Sequence, residues 1–424
     1  MSMESFTKVL SARLAQLRQD GAAKGEEHII SAVDFSNLTT FSEIESDKAQ
    51  GPRYYLKGHK DKKFLMMNSN SYLGLSLHKD VIAAEEEAAR KFGSGPGGVR
   101  FISGTYDMHI RLEQALAEFH SRESAMIYSS AYSAVLGVLP ALIDQHTLVV
   151  SDSLNHNSII NALRLARPAK KEIYNHLDMS QLEEILENNK SVKKGKETIH
   201  RVLVITDGIF SMRGDYAPLN EIVSLCNKHS DSYKEGIISI ADDSHGVGAF
   251  GKTGRGTEEF TGTSVDILIA TLGKSFGVNG GYITSSKVVI DFLKETSPLY
   301  IYTNPITVAE SAASLKSIQI LDSPEGLVRL EKLKLLTHHF QEGLVKGGFE
   351  TIPGEHPIVP LMVRNTEKTA NLSRYLFENG ILATGLNFPV VPKGDEEIRF
   401  QINANHTLYD IDYVLTVLGN FQAE

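Results

Sequence analysis

The sequence predicts an α/β fold in which a mostly parallel sheet is covered by helices on both faces. Three observations lead to this prediction. Short apolar runs alternate with helix-like stretches from residue 125 to residue 286. Several of these runs are apolar throughout, as expected for strands that are buried on both faces. At 424 residues and 42% hydrophobic content, the chain is long enough for one large core and a second, smaller one.

The N-terminal segment has the pattern of an amphipathic helix. Apolar residues recur there at helical spacing: Phe6, Val9, Leu10, Leu14 and Leu17. The segment carries Glu4 and lacks the apolar core of a signal peptide. We therefore expect a helix that packs against the rest of the protein, with a weak organelle-targeting role as the alternative.

The central region supplies the strands of the predicted sheet. In chain order the candidates are "AMIYSS" (125–130), "TLVVSD" (147–152), "KEIYNH" (171–176), "RVLVIT" (201–206), "GIISIA" (236–241), "VDILIA" (265–270) and "GYITSS" (281–286). Helix patterns resume over 305–347. "KSVKKGKETIH" (190–200) is a charge-rich stretch that we interpret as a solvated loop.

The C-terminal region predicts a smaller α/β domain. It contains the strand candidates "IVPLMV", "ILATG" and "EIRFQIN", with helix patterns near 367–379 and 408–421. We therefore divide the chain into an N-terminal helix and hairpin segment (1–64), a large domain (65–310) and a small C-terminal domain (311–424).

Composition restricts the class of protein. The net charge of -9 argues against nucleic acid or an anionic membrane as the main partner. No apolar run approaches the ~20 residues of a membrane span. The single cysteine, Cys226, excludes an intrachain disulfide and a cysteine cluster for zinc, so we expect a reducing compartment, the cytoplasm.

Lys274 stands out because it follows a buried-looking strand, in "ATLGKSFGVNGGY" (270–282), among small and flexible residues. From spacing alone, a solvated loop lysine is the favoured interpretation. The alternative is an amine held at a strand end for covalent chemistry, since a desolvated lysine can lose its proton and attack a carbonyl.

Other polar residues also follow strands, and ligands in open α/β sheets bind at the carboxyl ends of strands. "SSAYSA" opens a predicted helix whose free N–H groups suit a phosphate, although a simple N-cap by Ser129 or Ser130 is as good an explanation. His156 follows the next strand, where a structural role is the usual one. Asp207 and Ser211 follow "RVLVIT", where turn formation is the favoured interpretation.

"DDSHGVGAFG" follows "GIISIA" and contains Asp242, Asp243 and His245. These residues could bind a metal, but the spacing identifies no further ligands, so no metal is predicted. Capping and turn formation are the simpler alternative. One cofactor would use all of these groups together: pyridoxal phosphate needs a phosphate site, an imidazole against its ring, a carboxylate at its ring nitrogen and an amine for its aldehyde.

Several motifs also carry a resemblance to a known family. They are "GSGPGGVRFISGTYDMH" (93–109), "SLNHNSII", "TDGIFSMRGDYAPL", "DDSHGVGAFGKTGRG", "TLGKSFG" and "NFPVVPKGDEEIRFQINANHT" (387–407). In this order, from about residue 65 onward, they resemble the α-oxoamine synthases. These are fold-type I pyridoxal-phosphate enzymes that join an amino acid to an acyl-coenzyme A. "PVVPKG" is most similar to the glycine C-acetyltransferase branch of the family.

The resemblance implies a role for each matching residue. Lys274 would bind the cofactor's aldehyde, Asp242 would face the ring nitrogen, and His156 would stack on the ring. The remaining implied contacts are Ser211 and His245 near the phenolic oxygen, Ala131, Tyr132 and Thr271 at the phosphate, Thr303 at the phosphate of a partner subunit, and Asn70 and Arg399 at the substrate carboxylate.

The resemblance thus implies a homodimeric acyltransferase with shared active sites, in which Lys274, His245 and Asp242 are catalytic. The favoured substrates are glycine and a short acyl-coenzyme A. Alternatives are the 8-amino-7-oxononanoate synthase and serine palmitoyltransferase branches, an aminotransferase on the same fold, and a non-catalytic relative that binds a partner protein. Intact Lys274 and Asp242 weigh against the last, because a scaffold needs neither.

Overall fold

The computed structural model describes residues 2–20, 23, 27–36, 50–190, 199–388 and 390–423. In chain order the strands are β1 (Ile30–Asp34), β2 (Arg53–Leu56), β3 (Lys63–Met66), β4 (Ser124–Tyr128), β5 (Thr147–Asp152), β6 (Lys170–Tyr174), β7 (Arg201–Asp207), β8 (Ile237–Asp242), β9 (Ile267–Thr271), β10 (Gly281–Ser285), β11 (Glu350–Thr351), β12 (Ile358–Met362), β13 (Ile381–Leu382), β14 (Thr384–Leu386) and β15 (Glu397–Gln401).

The helices, again in chain order, are α1 (Ser2–Gln19), α2 (Lys79–Phe92), α3 (Asp107–Phe119), α4 (Ala131–Leu142), α5 (Asn157–Leu165), α6 (Met179–Asn188), α7 (Leu219–Ser230), α8 (Thr257–Thr261), α9 (Lys287–Thr296), α10 (Pro298–Ile301), α11 (Val308–Leu321), α12 (Pro324–Lys346), α13 (Thr366–Glu378) and α14 (Leu408–Ala423). A 3₁₀ turn (Leu75–Leu77) and a π-helical turn (Arg100–Gly104) add to these. Among the described helices, none combines the length and the apolar character needed to cross a bilayer.

The chain divides into two compact units. One unit comprises Asn70–Leu335 and Gly354–Pro357, and the other comprises Met1–Ser69, Leu336–Pro353 and Ile358–Glu424. The predicted boundaries at 64/65 and 310/311 differ from this division for a physical reason. α11 packs against α2 and α3 and so belongs to the larger unit. β13 pairs with β3, which joins the N-terminal segment to the C-terminal region.

The larger unit contains a seven-stranded sheet in the order β4-β10-β9-β8-β7-β5-β6. The five strands from β9 to β6 in this order pair in parallel, and β10 runs antiparallel to both of its neighbours. Each strand predicted between residues 125 and 286 is present, and the predicted mostly parallel α/β fold is confirmed. Because parallel strands point the same way, their carboxyl ends lie along one edge of the sheet.

Helices bury both faces of this sheet, and the sequence of the strands reflects it. β5 and β7 are apolar along their centres, and Val149, Leu203 and Ile205 are buried in a core shared with α4 and α5. Helix starts are fixed by side chains: the Ser130 hydroxyl accepts a hydrogen bond from the Ser133 N–H at 3.0 Å and begins α4.

The smaller unit contains two four-stranded sheets, in the orders β1-β2-β3-β13 and β11-β12-β15-β14. β2 and β3 form the predicted N-terminal hairpin, and α13 and α14 are the predicted C-terminal helices. Within this unit Asp410 is fully buried and pairs with Arg53 at 2.5 Å, which links α14 to β2. The charge-rich stretch 190–200 falls mostly on residues 191–198, outside the described residues.

α1 is helical as predicted, but its apolar side chains do not pack within this single chain. The five residues of the apolar face remain between 45% and 58% exposed: Phe6, Val9, Leu10, Leu14 and Leu17. The expectation of a packing helix is therefore wrong for the isolated chain. Helical periodicity predicts that one face of the helix is apolar. It does not predict what covers that face.

Candidate active site

A cavity of about 230 Å³ opens at the carboxyl edge of the large sheet. It is lined by Ser130, Ala131, Tyr132, His156, Ser158, Asp207, Ile209, Ser211, Asp242, Ser244, His245, Thr271 and Lys274. Eight of the predicted site residues therefore share one cavity: Ala131, Tyr132, His156, Ser211, Asp242, His245, Thr271 and Lys274. They come from five separate stretches of the chain, which the parallel strands bring to a common edge.

Lys274 is held by a tight turn between β9 and β10. The Gly277 N–H donates to the Lys274 carbonyl at 2.9 Å, and the Val278 N–H donates to the Leu272 carbonyl at 3.1 Å. Gly277 has φ +71°, and a Cβ there would lie 2.3 Å from the Ser76 nitrogen. Only glycine meets both conditions, so the small residues around Lys274 serve to pack its turn closely.

Thr271 takes part in the same turn. Its hydroxyl donates to the Gly280 carbonyl at 3.0 Å and accepts from the Gly273 N–H at 3.0 Å. The Thr271 hydroxyl thus donates its proton within the protein. Its two hydrogen bonds stabilise the turn that holds Lys274. A role at a phosphate stays a prediction.

Asp242 ends β8 and is oriented by its own turn. Its Oδ1 accepts from the Ser244 hydroxyl at 2.5 Å and from the Ser244 N–H at 3.2 Å. Two donors on one oxygen hold the carboxylate in a single orientation. The side chain is nearly buried and lines the cavity, so its charge acts in a poorly solvated environment.

Asp207 ends the neighbouring strand β7, in register with Asp242. Its Oδ2 accepts from the His156 N–H at 3.0 Å, whereas its Oδ1 is buried and has no hydrogen-bond partner among the described residues. Burial, and then the negative charge of Asp242, raise the pKa of Asp207 well above its usual value. The sequence favoured a simple turn role here; the structure places a protonatable acid in the cavity wall.

His156 is the N-cap residue of α5. Its Nδ1 lies 2.7 Å from the Ser158 hydroxyl, and its ring contacts the ring of Tyr132 edge-on at 6.2 Å between centroids. Burial lowers the pKa of His156, with a smaller opposing effect from Asp242. The ring is therefore neutral at physiological pH, as suits a group that stacks on an aromatic cofactor.

His245 is positioned by residues that the sequence did not single out. Its Nδ1 lies 2.7 Å from the hydroxyl of Tyr72, and its backbone carbonyl lies 2.9 Å from Nε2 of His356. Tyr72 and His356 are both at most 1% exposed. Tyr72 lies two residues after the predicted residue Asn70, but no sequence signal indicated His356.

The first turn of α4 forms another wall, with Ser130, Ala131 and Tyr132 lining the cavity. Unsatisfied N–H groups at a helix start form a natural anion site. β10 comes unusually close here: a Cβ at Gly281 would lie 2.1 Å from the Ala131 nitrogen. Because glycine has no Cβ, β10 and the first turn of α4 can approach each other this closely.

Three predicted residues are not among those that line the cavity. Asn70 belongs to the same unit, and its Oδ1 accepts from the Tyr72 hydroxyl at 3.3 Å. Thr303 follows α10, and its hydroxyl donates to the Leu299 carbonyl. Arg399 lies on β15 of the smaller unit, where it is half-buried and in register with Pro360 and Thr384. Their predicted roles remain predictions.

The cavity fits pyridoxal phosphate. It combines an amine (Lys274), an oriented carboxylate (Asp242) and a neutral imidazole (His156) with a helix start that a Cβ at Gly281 would obstruct. The buried Oδ1 of Asp207 has no hydrogen-bond partner among the described residues, so the cavity wall offers an acceptor or donor to a bound group. When bound, this cofactor supplies an electron sink for bonds at the α-carbon of an amino acid.

Comparisons with known proteins place the chain in a family. The model of class I and II aminotransferases matches residues 62–418. An 8-amino-7-oxononanoate synthase from Thermosipho melanesiensis is 39% identical over 84% of this chain and 87% of its own. One from Petrotoga mobilis is 39% identical over 92% of this chain and 95% of its own.

A solved structure extends the comparison to the fold. Serine palmitoyltransferase from S. paucimobilis, with bound PLP and myriocin, superposes with a TM-score of 0.81 at 27% identity. The match covers 98% of this chain and 97% of that one. The chain therefore belongs to the class I and II aminotransferase family, as one of its pyridoxal-phosphate-dependent α-oxoamine synthases.

Proposed function

We propose that the protein condenses L-alanine with a thioester of a seven-carbon dicarboxylic acid to form 8-amino-7-oxononanoate. The observation that carries this proposal is the pair of 8-amino-7-oxononanoate synthases that are 39% identical to the chain over 84% and 92% of its length. They favour this activity over the glycine C-acetyltransferase reaction that the "PVVPKG" motif suggested. The grouping of Lys274, Asp242 and His156 in one cavity supports the cofactor chemistry that both reactions need.

The structure of the product defines the substrates. In 8-amino-7-oxononanoate the ketone at C7 is bonded to C8, which carries the amino group and the terminal methyl C9. A bond made between an acyl carbon and an amino acid α-carbon is therefore the C7–C8 bond. The amino acid contributes C8 and C9 and must have a methyl side chain, which is alanine. The acyl donor contributes C1 to C7 with a free carboxylate at C1.

The bonds that form and break in the proposed reaction indicate what residues of the chain must do. We infer that Lys274 accepts the α-proton of the amino acid, since it contributes an amine to the cavity wall. The α-carbon then bonds to the thioester carbonyl carbon, and coenzyme A leaves as a thiolate. The α-carboxylate departs as carbon dioxide, and a proton replaces it at the α-carbon.

The remaining site residues bind and orient. We assign Asp242 to the ring nitrogen, His156 to the ring face, and Ser211 and His245 to the phenolic oxygen. Ala131, Tyr132 and Thr271 form the proposed phosphate site, and Asn70 and Arg399 the proposed site for the substrate carboxylate. A bidentate guanidinium is suited to that carboxylate.

We also propose a cytoplasmic homodimer with shared active sites. Large apolar side chains of the larger unit are exposed in the single chain: Phe101, Ile102 and Tyr302 are 65%, 71% and 74% exposed. Tyr302 immediately precedes Thr303, the residue assigned to the partner's phosphate. Apolar exposure of this kind marks interaction surfaces. The single cysteine, Cys226, is buried and unpaired, as suits a reducing compartment.

The decisive experiment measures release of coenzyme A across a matrix of substrates. Alanine, glycine and serine are each combined with pimeloyl-, acetyl- and palmitoyl-coenzyme A, and products are identified by mass spectrometry. We expect the highest kcat/KM for alanine with pimeloyl-coenzyme A and one carbon dioxide per turnover. A preference for glycine with acetyl-coenzyme A, or for serine with palmitoyl-coenzyme A, would assign the enzyme to another branch. Amino-group transfer to a keto acid without thiol release would identify an aminotransferase.

A further inference from the structure

His176 lies between two carboxylates and is not among the residues that line the cavity. Its Nδ1 lies 3.1 Å from Oδ1 of Asp152, and its Nε2 lies 3.2 Å from Oδ2 of Asp215. The Asp152 side chain is fully buried, and those of His176 and Asp215 are 17% and 19% exposed. One imidazole therefore connects the end of β5 with the segment that follows β7.

The hydrogen bonds around these carboxylates indicate the charge of the imidazole. The Leu177 N–H donates to Oδ2 of Asp152 at 3.0 Å, and Nε of Arg213 donates to Oδ2 of Asp215 at 2.8 Å. Both carboxylates thus already accept from N–H donors, as ionised carboxylates do. An imidazole donates at both of its nitrogens only when it is protonated. Although burial opposes the charge, the hydrogen bonds to Asp152 and then Asp215 raise the pKa of His176 to about 9.

Residues 208–217, which we call the Ser211 loop, follow β7 and form a closed turn. The Phe210 N–H donates to the Asp215 carbonyl at 2.9 Å, and the Gly214 N–H donates to the Phe210 carbonyl at 2.8 Å. Ser211 lies between these two hydrogen-bonded positions and lines the cavity. The position of Ser211 in the cavity wall therefore depends on what holds the loop.

His176 contacts the Ser211 loop on both sides of Ser211. Its ring meets the ring of Phe210 edge-on at 4.4 Å between centroids, and its Nε2 faces the Asp215 carboxylate. On the other side of the imidazole, Asp152 belongs to β5, which is buried along its whole length. His176 thus connects the loop to a rigid strand of the large sheet.

The charged side chains that face the imidazole come from two elements. They are Asp152 of β5, and Asp215 with its partner Arg213 in the Ser211 loop. On the neighbouring strand β6, burial and then the Asp152 charge raise the pKa of Tyr174 far above its usual value, which keeps the phenol neutral. On the imidazole's own segment, the Asp178 carboxylate accepts hydrogen bonds at the start of α6.

We propose that His176 is a positioning residue that bridges Asp152 and Asp215 as an imidazolium and so holds the Ser211 loop against the cavity. Loss of the imidazolium proton removes one of the two donors and loosens the loop. This inference rests on the proposed contact of Ser211 with the cofactor's phenolic oxygen. It is independent of which amino acid and which thioester the enzyme uses.

Nitrogen-15 NMR of the cofactor-loaded, histidine-labelled enzyme tests the charge of His176. At pH 8 we expect both of its nitrogens to carry protons, whereas an ordinary histidine is neutral at that pH. The signal is assigned by its absence from His176→Gln, or by its shift in Asp215→Ala, which removes one carboxylate. A neutral His176 in the wild type at pH 8 would overturn the proposal.

Hydrogen–deuterium exchange at pH 7, followed by mass spectrometry, tests the hold on the Ser211 loop. We expect its amides to exchange about tenfold faster in His176→Gln and in Asp215→Ala than in the wild type. His200→Gln is the matched control, because His200 precedes β7 and lies 3.7 Å from Glu235, at the opposite end of the same strand. The control should exchange like the wild type. Unchanged loop exchange in His176→Gln or in Asp215→Ala would contradict the proposal.

A double-mutant comparison distinguishes positioning of Ser211 from a general structural role. Ser211→Ala should lower kcat about tenfold in the wild-type and His200→Gln backgrounds. In the His176→Gln background it should lower kcat by less than about threefold, because the loosened loop no longer presents the hydroxyl. Equal losses in all three backgrounds would show that His176 does not act through Ser211.

Failure of this inference and failure of the proposed function give different results. If the substrate assignment fails, no thioester is turned over, yet the NMR and exchange measurements still report on His176 because neither requires an acyl donor. If His176 is neutral at pH 8, or if loop exchange does not respond to its replacement, the inference is wrong even in a fully active enzyme.

Discussion

Asp207 and Asp242 end neighbouring parallel strands in register and line the same cavity. Two buried carboxylates so close together favour a proton on one of them, and the pKa of Asp207 is the one that burial and the Asp242 charge raise. Burial and the neighbouring Asp242 thus favour the protonated form of Asp207.

This difference between the two aspartates predicts a large loss of kcat for one substitution and a small effect for the other. Asp242→Asn should lower kcat roughly tenfold or more, because a charge-assisted hydrogen bond is worth ~1.5–3 kcal/mol. Asp207→Asn should keep kcat within about threefold, because the raised pKa of Asp207 favours its neutral form and an amide is neutral as well. Steady-state kinetics of both purified variants check the prediction. Equal losses in the two variants would mean that both aspartates act as charges.

Lys274 should be the residue that binds the cofactor covalently. The purified enzyme should be yellow, and borohydride should abolish its visible absorbance and leave a stable adduct on Lys274. Peptide mass spectrometry locates the adduct, and Lys274→Ala serves as the control that cannot form it. A protein that gains no visible absorbance with added pyridoxal phosphate would refute the assignment.

Gly281→Ala should weaken cofactor binding. The new Cβ would lie 2.1 Å from the Ala131 nitrogen, so the first turn of α4 must move away from β10. We expect an increase of at least about tenfold in the Kd for pyridoxal phosphate, measured by fluorescence titration of the apoenzyme. Gly419→Ala, on α14 where nothing lies within 4 Å of an added Cβ, is the control and should leave the Kd unchanged.

Because of Asp243, the free energy of unfolding should decrease as pH rises. Burial raises the pKa of Asp243 to about 7, although the Thr257 N–H and hydroxyl donate to its carboxylate at 2.6 and 2.7 Å. The folded protein then holds a proton that the unfolded chain loses near pH 4. The free energy of unfolding should therefore decrease between pH 4 and pH 7, by up to about 1.4 kcal/mol per pH unit.

Urea denaturation across this pH range, compared between wild type and Asp243→Asn, isolates the effect. The variant should show a flatter dependence on pH, because an amide does not titrate in this range. Curves that stay parallel from pH 5 to pH 7 would mean that Asp243 is ionised throughout.

Arg399→Ala should raise the KM for the amino acid by about tenfold or more while the Kd for pyridoxal phosphate stays within twofold. The reason is the proposed contact of its guanidinium with the substrate carboxylate. Arg364→Ala is the control in the same unit, because Arg364 pairs with Glu350 and Asp395 at the surface. An unchanged amino acid KM in Arg399→Ala would remove Arg399 from the substrate site.

Much of the fold could be predicted because it depends on local patterns in the sequence. Continuous apolar runs such as "RVLVIT" predict buried strands, and these strands are present as β4 to β10. The position of Lys274 after β9 followed from the same reasoning, since strand ends are local features. The domain boundaries were harder to predict, because they depend on contacts such as β13 with β3 across more than three hundred residues of chain.

The sequence by itself determined the α/β class, the strand ends and the polar residues that follow them, since each depends on neighbours along the chain. Only the tertiary structure decided which of those residues share a cavity. Tyr72 lies against His245 across 173 positions, and the pKa of Asp207 is raised by burial and then by the charge of Asp242 on the next strand. Distance, burial and the charge of a neighbour are properties of the folded chain, so a linear pattern cannot contain them.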